Sequence, residues 1–168
     1  MVRFSNWCDS ALEVVGSHAL QVISARAADT ANGCVAVAAI VSEHYAAEVQ
    51  VARILRRLCR PKAASFIENK LPTTKSIRSG DLGEILATEY ITGETPYDVP
   101  IKRLRWKDHR NMAMRGDDVI GLMRDQATGR LHFLKTEAKS RATLAGGVVT
   151  EAREGLDKEG GLLSAHAL

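Results

Sequence analysis

Two carboxylates and an amine in the second half of the chain are spaced so that a β-hairpin would gather them. Asp118 precedes the short apolar run Val119-Ile120-Gly121-Leu122, and Glu137-Ala138-Lys139 closes a second run that begins at Leu131. Between the runs, Asp125 to Gly129 places Asp, Thr and Gly where a turn wants them, so the segment predicts two antiparallel strands. Side chains alternate along a strand, which puts Glu137 and Lys139 on one face. The start of the first strand then lies beside the end of the second, and Asp118 lands next to Glu137. Oxygen donors of this kind suit Mg2+ (or Mn2+), and the backbone carbonyl of Ala138 could add another. Such an ion offsets the charge of a phosphodiester and lowers the pKa of a bound water. Lys139 could hold that water or stabilise charge building on the phosphate, and the neighbouring carboxylates favour its charged form.

An ExK triplet alone occurs by chance in many chains and is as readily a set of surface charges. Here it follows an apolar strand, where charge is otherwise out of place, and it pairs with a strand entered through Gly116-Asp117. Asp117 is a rival to Asp118, but alternation points it the other way.

The elements that must position this set are legible with varying clarity. A helix is expected from about Asp81, whose spacing to Glu84 is that of a capping box. Leu82, Ile85, Leu86 and Tyr90 give it an apolar face, and Gly93 ends it. Residues 1–72 read as a helical N-terminal region. Helices are predicted over Ala11 to Ile23, Val35 to Tyr45 and Ala47 to Leu58, from apolar residues at helical spacing. Pro61 ends the third or starts the next turn. Arg53, Arg56, Arg57 and Arg60 around it read as a solvated helix face. Residues 71–80 form a polar connector, and residues 73–168 are assigned to the catalytic core. A last helix runs from about Ala145 through Val148, Ala152 and Leu156 until Gly160-Gly161 breaks it. The weak tail from Leu162 to Leu168 is expected to be frayed or partner-dependent.

Composition sets few further limits. With 168 residues the chain can bury a core, and its net charge of +3 is compatible with nucleic-acid binding without arguing for it. Cys8, Cys34 and Cys59 form no CxxC pair and read as reduced thiols of a cytoplasmic protein. A structural zinc is not expected. No run is long enough to span a membrane. Ala25-Arg26-Ala27 loosely imitates a signal-peptidase site, but Glu13 and His18 precede it where a hydrophobic signal core should be.

The basic stretch Lys102, Arg103, Arg105, Lys107, Arg110 and Arg115 leads directly to the proposed metal site and carries Trp106 among its charges. It reads as a DNA contact combining phosphate pairing with stacking, against the plainer reading of a solvated loop anchored by a tryptophan. Lys135 and Arg141 flank the ExK strand and could add phosphate contacts. No base-reading element is evident.

A helix bearing Glu84, then Arg115-Gly116-Asp117-Asp118, then Glu137-Ala138-Lys139 and a further helix resembles the PD-(D/E)XK nuclease superfamily. Gly83-Glu84-Ile85-Leu86, the Gly-x-Asp of Gly116 to Asp118 and the Glu-Ala-Lys triplet look like the nuclease subunit of the Hachiman antiphage system, over about residues 30 to 145. The resemblance implies an α/β fold with a mixed central sheet flanked by helices. It implies metal ligation by Asp118 and Glu137, catalysis with Lys139, and Glu84 completing the metal site. It also implies a partner helicase of superfamily 2 type and an effector that degrades DNA when infection is sensed. The chain has no GxxxxGK[ST], so any motor is a separate protein. Family members usually carry more helical sequence after the catalytic strand, so this is read as a short member or a truncated product. The alternatives are a non-catalytic DNA-binding scaffold that keeps the nuclease fold, or a restriction endonuclease or junction resolvase.

Overall fold

The computed structural model describes residues 2–143 and 145–164. It is a mixed α/β structure. Two strands come first, β1 (Cys8–Val15) and β2 (His18–Ala25), followed by helices α1 (Thr30–Tyr45), α2 (Glu48–Leu58), α3 (Arg60–Glu68) and α4 (Lys75–Glu94). A second hairpin, β3 (Val119–Arg124) and β4 (Leu131–Thr136), precedes α5 (Gly146–Asp157).

The first strand pair replaces the helix expected over Ala11 to Ile23. β1 and β2 pair antiparallel from Cys8↔Ala25 to Val15↔His18, around a two-residue turn whose first member, Gly16, has φ +62°. Glycine at that position suits a tight hairpin, and Val14, Val15, Val22 and Ile23 are β-branched residues that favour strands. Helical spacing of the same residues fits as well; the Gly16-Ser17 pair in its middle is the feature that decides against it. Arg26 closes the base of the hairpin, donating to the carbonyls of Cys8 (2.8 Å) and Asn6 (2.6 Å) and to Asp29 (2.6 Å).

α1 and α2 match the helices expected after Val35 and Ala47. Pro61 starts α3, where its missing N–H costs nothing. α4 begins at Lys75, six residues before the proposed cap, so Asp81 and Glu84 lie inside it and are buried. The side-chain oxygen of Asn111 serves its N-terminus instead, accepting from the backbone N–H groups of Thr73 (2.8 Å) and Thr74 (3.3 Å).

The described residues form two separate two-stranded sheets, not the expected mixed central sheet. A third strand starts beside β3, where Asp98 and Leu122 form an isolated bridge. Pro96 and Pro100 bracket it, and proline cannot extend a ladder.

One hydrophobic cluster joins Val2, Phe4, Cys8, Ile40, Tyr45, Ile85 and Leu104, so residues from both sides of position 72 share a core. A smaller cluster of Ile91, Val99 and Val119 seats β3 on α4. Among the described residues no helix is long and apolar enough to cross a membrane, and the three cysteines are unbridged.

Candidate active site

The β3–β4 register pairs Val119 with Thr136, which sets Asp118 opposite Glu137 one step beyond the ladder. A hydrogen bond completes the junction: the Ala138 N–H donates to Asp118 Oδ2 at 2.8 Å. α4 runs alongside. Ser79 Oγ meets Ser140 Oγ at 2.9 Å, and Gly83 leaves room for Ser140, whose Cβ would stand 3.2 Å from any added methyl. The helix thereby presents Ile77, Gly80, Asp81 and Glu84, at successive i+3 and i+4 positions, to the end of β4. Together they line an open cleft of about 560 Å3 with Asp118, Glu137, Ala138, Lys139, Arg115, Arg141 and Lys158.

Four carboxylates and four cations line the cleft, but the carboxylates lie deeper, whereas Arg115, Arg141 and Lys158 are exposed at its rim. Glu84 is buried, and its carboxyl is pushed up to about 8. Burial is the main cause, and the Asp118 and Asp81 carboxylates add to it against Arg103 and Lys107. Asp118 is also raised, by burial first and by Glu137, although the Ala138 N–H, Arg103 and Lys139 oppose this. Asp81 has closer partners: Lys107 Nζ lies 2.7 Å and 3.0 Å from its two oxygens, and the Tyr45 hydroxyl donates to Oδ2 at 2.7 Å. Burial beside that carboxylate holds the Tyr45 phenol far above its ordinary range.

Glu137 and Lys139 form an ion pair with each other. The carboxylate of Glu137 also lies against Gly155 of α5, in the space a side chain there would occupy. The donor set (three carboxylates and the Ala138 carbonyl on one cleft) suits a hard divalent cation, and such a cation would offset both the burial and the neighbouring carboxylates that raise Glu84 and Asp118. Among the described residues no three His, Cys, Asp or Glu side chains stand grouped around one point. Ligation by Glu137 therefore requires it to turn from Lys139 and Gly155 into the cleft.

The basic stretch divides on burial. Arg103 and Lys107 face inward, a correction to their expected place on a DNA-facing surface. Arg103 is 5% exposed, donates to the Arg115 carbonyl at 2.9 Å, and sets Nη1 3.8 Å from Asp118 Oδ1. Among the described residues its Nε and Nη1 have no hydrogen-bond partner. An arginine and a lysine this deep serve as countercharges to the cleft carboxylates, which burial otherwise penalises. Arg105 donates to the Glu43 carbonyl at 3.0 Å, and Lys102 stands 3.7 Å from Glu89. Arg110 is half-buried, whereas Trp106, Arg115 and Arg141 are exposed, Arg141 pairing with Glu151 at 2.6 Å.

Lys135 is not among the residues that line the cleft. It donates to the carbonyls of Lys158 (3.0 Å) and Leu162 (2.8 Å) and lies 3.3 Å from Asp117. Asp117 in turn accepts from the Ser164 N–H at 2.8 Å. The tail is thus tied down as far as Ser164, not frayed there; Ala165 to Leu168 lie outside the described residues. The sequence reading missed the placement of Asp81, Ser140 and Lys158 at the cleft. Asp81 and Glu84 share a helical face with Ile77 and Gly80, a pattern that signals an interior polar stripe as well as it signals a cap.

The comparison with curated proteins gives no match. The profile of the HamA family matches residues 2–167. That span takes in the first hairpin, the cleft and α5, and it agrees with the resemblance to the Hachiman subunit carried by the Gly-x-Asp and Glu-Ala-Lys motifs. On this match over nearly its whole length, the chain belongs to the HamA family.

Proposed function

We propose that this protein is a metal-dependent DNA endonuclease, the effector of a Hachiman-type antiphage defence system, working with a partner helicase and using a PD-(D/E)XK site. One observation carries the reading: Asp118, Glu84, Glu137 and Lys139 open onto one cleft, on the end of a hairpin braced by α4 and α5. Family membership supports the defence role, and the helicase partner follows from the same resemblance.

Asp118, Glu137 and the Ala138 carbonyl would hold Mg2+ or Mn2+, with Glu84 completing the set. When bound there, the ion supplies charge neutralisation at the phosphate and a water of lowered pKa. Lys139, released from Glu137, donates to the attacking water or to a phosphate oxygen. Arg103 braces Asp118 from behind, and Lys107 holds Asp81. Arg115 and Arg141 at the rim take flanking phosphates.

The test is cleavage of plasmid and linear DNA with Mg2+ or Mn2+, comparing the wild type with Lys139→Ala, each with and without the helicase. The variant should lose activity by about 100-fold or more and keep the wild-type melting curve. Cleavage only in the presence of helicase and ATP would make the enzyme a controlled effector. A folded protein that cuts DNA in no mixture would point to a non-catalytic scaffold.

A further inference from the structure

The cleft leaves one charged feature of the chain unused. Between Glu48 and Glu68 the sequence has five cations, Arg53, Arg56, Arg57, Arg60 and Lys62, and no acid. The net charge of the whole chain is only +3, so its positive charge is concentrated here. All five side chains are exposed. Among the described residues none has an ion-pair partner.

α2 sorts these residues to one side. Gln50, Arg53 and Arg57 follow one another at i, i+3 and i+7, and Arg56 stands beside them. Ala52 between the guanidinium groups leaves a notch of about 390 Å3 lined by Arg53, Arg56 and Arg57. Like charges at these spacings destabilise a helix, and the sequence supplies no carboxylate to relieve them. On the other side of α2, Val51 and Leu55 line a crevice with Ala46 and Ile67, while Leu55 and Leu58 stay 41% and 48% exposed. At its N-terminal end, Gln50 borders a groove shared with Lys102 and Trp106, and Trp106 is 71% exposed.

From these features we infer that the outward face of α2 is a second nucleic-acid surface, distinct from the cleft, on which Arg53, Arg56 and Arg57 take the phosphate backbone of DNA. Guanidinium groups match phosphate oxygens in fork geometry, which lysine does not. Trp106 offers a ring on which a base at the end of the same track can stack. An anionic membrane would use the same cations together with the partly exposed Leu55 and Leu58; the exposed Trp106 beside Gln50, placed to stack a base, favours DNA. DNA held on this face is bound whether or not the cleft cuts it.

The experiment is fluorescence anisotropy of a short labelled DNA duplex titrated with the full-length protein in EDTA, over a series of salt concentrations. In EDTA the readout does not depend on nuclease activity, so failure of the catalytic reading would leave it unmoved. The triple variant Arg53→Glu/Arg56→Glu/Arg57→Glu should bind at least about 10-fold more weakly, and the slope of log K against log salt should fall by about 3, close to one per lost phosphate contact. The milder Arg53→Gln/Arg56→Gln/Arg57→Gln variant, checked by circular dichroism, serves if charge reversal disturbs folding. Unchanged affinity and slope would overturn the inference, as would absence of binding by the wild type. Loss of sedimentation with phosphatidylserine vesicles, with DNA binding intact, would reassign the face to membranes.

Discussion

Buried ionisable side chains in this protein are treated in two ways, and the difference has consequences in solution. Asp81 is hydrogen-bonded by Lys107 and Tyr45, whereas Glu84 has no hydrogen-bonded cation among the described residues and is pushed up to about 8, chiefly by burial. Away from the cleft, His44 is 2% exposed, with Nε2 2.9 Å from Glu89 Oε1. Burial and the cations Lys102 and Arg105 hold its imidazole down to about 4, against an ordinary value of 6.5, although Glu89 pulls the other way. Burial pushes the Glu89 carboxyl up, but the Val2 N–H, His44 and Lys102 prevail and hold it below its ordinary value. The sign for His44 follows from linkage: between those two pH values the unfolded chain binds a proton that the folded chain refuses. Stability is therefore full above about 6.5 and falls as the pH drops towards about 4, by on the order of 3 kcal/mol. Urea unfolding across this window should show the loss, and His44→Gln should flatten it, leaving only the carboxylate-driven fall at lower pH. An equal slope in the variant would mean that His44 is not its source.

At the scale of elements, the first hairpin and α1 are fitted to each other through a glycine. The Trp7 ring lies on Gly33, where a Cβ would collide with it, while Phe4 stacks on Trp7 at 5.5 Å between centroids. Alanine is the better helix former by about 1 kcal/mol, so propensity alone says that Gly33→Ala stabilises α1. Overpacking of about 1–3 kcal/mol opposes it. We expect the variant to melt several degrees lower, and a higher melting temperature would show that Trp7 can step aside. α1, α2, α5 and the β3–β4 hairpin rest on local signals: apolar spacing, a turn and flanking glycines. β1 and β2 carry a helical and a strand pattern at once, and only the Gly16-Ser17 turn separates them. The start of α4 carries no local cap: Thr74 makes no side-chain cap bond, and Asn111, distant in sequence, takes the N–H groups of Thr73 and Thr74.

For the molecule as a whole, the division at residue 72 does not separate two cores. Ile85 and Leu104 pack with Val2, Phe4, Ile40 and Tyr45, and Tyr45 and His44 supply hydrogen bonds to Asp81 and Glu89 of α4. A fragment of residues 73–168 would expose that apolar surface and leave those carboxylates without their partners. It should show no cooperative thermal transition, while the full chain does. A sharp transition in the fragment would establish an independent C-terminal domain. Family membership across residues 2–167 accords with a single inherited unit.

What the sequence determined alone is the proximity of Asp118 to Glu137 and Lys139, because a short turn and a two-residue period fix everything within a hairpin. It also determined the family, through motifs that are contiguous. Tertiary structure decided the surroundings of those residues. It turned Arg103 and Lys107 inward, gave Asp81 to the cleft and not to a cap, set Glu137 on Gly155, and tied Asp117 to the tail. Each of these joins residues well separated along the chain, and each depends on burial. A cation near a carboxylate becomes an internal partner or a surface charge according to how much water is excluded around it, and that is settled only when helices and hairpins have packed.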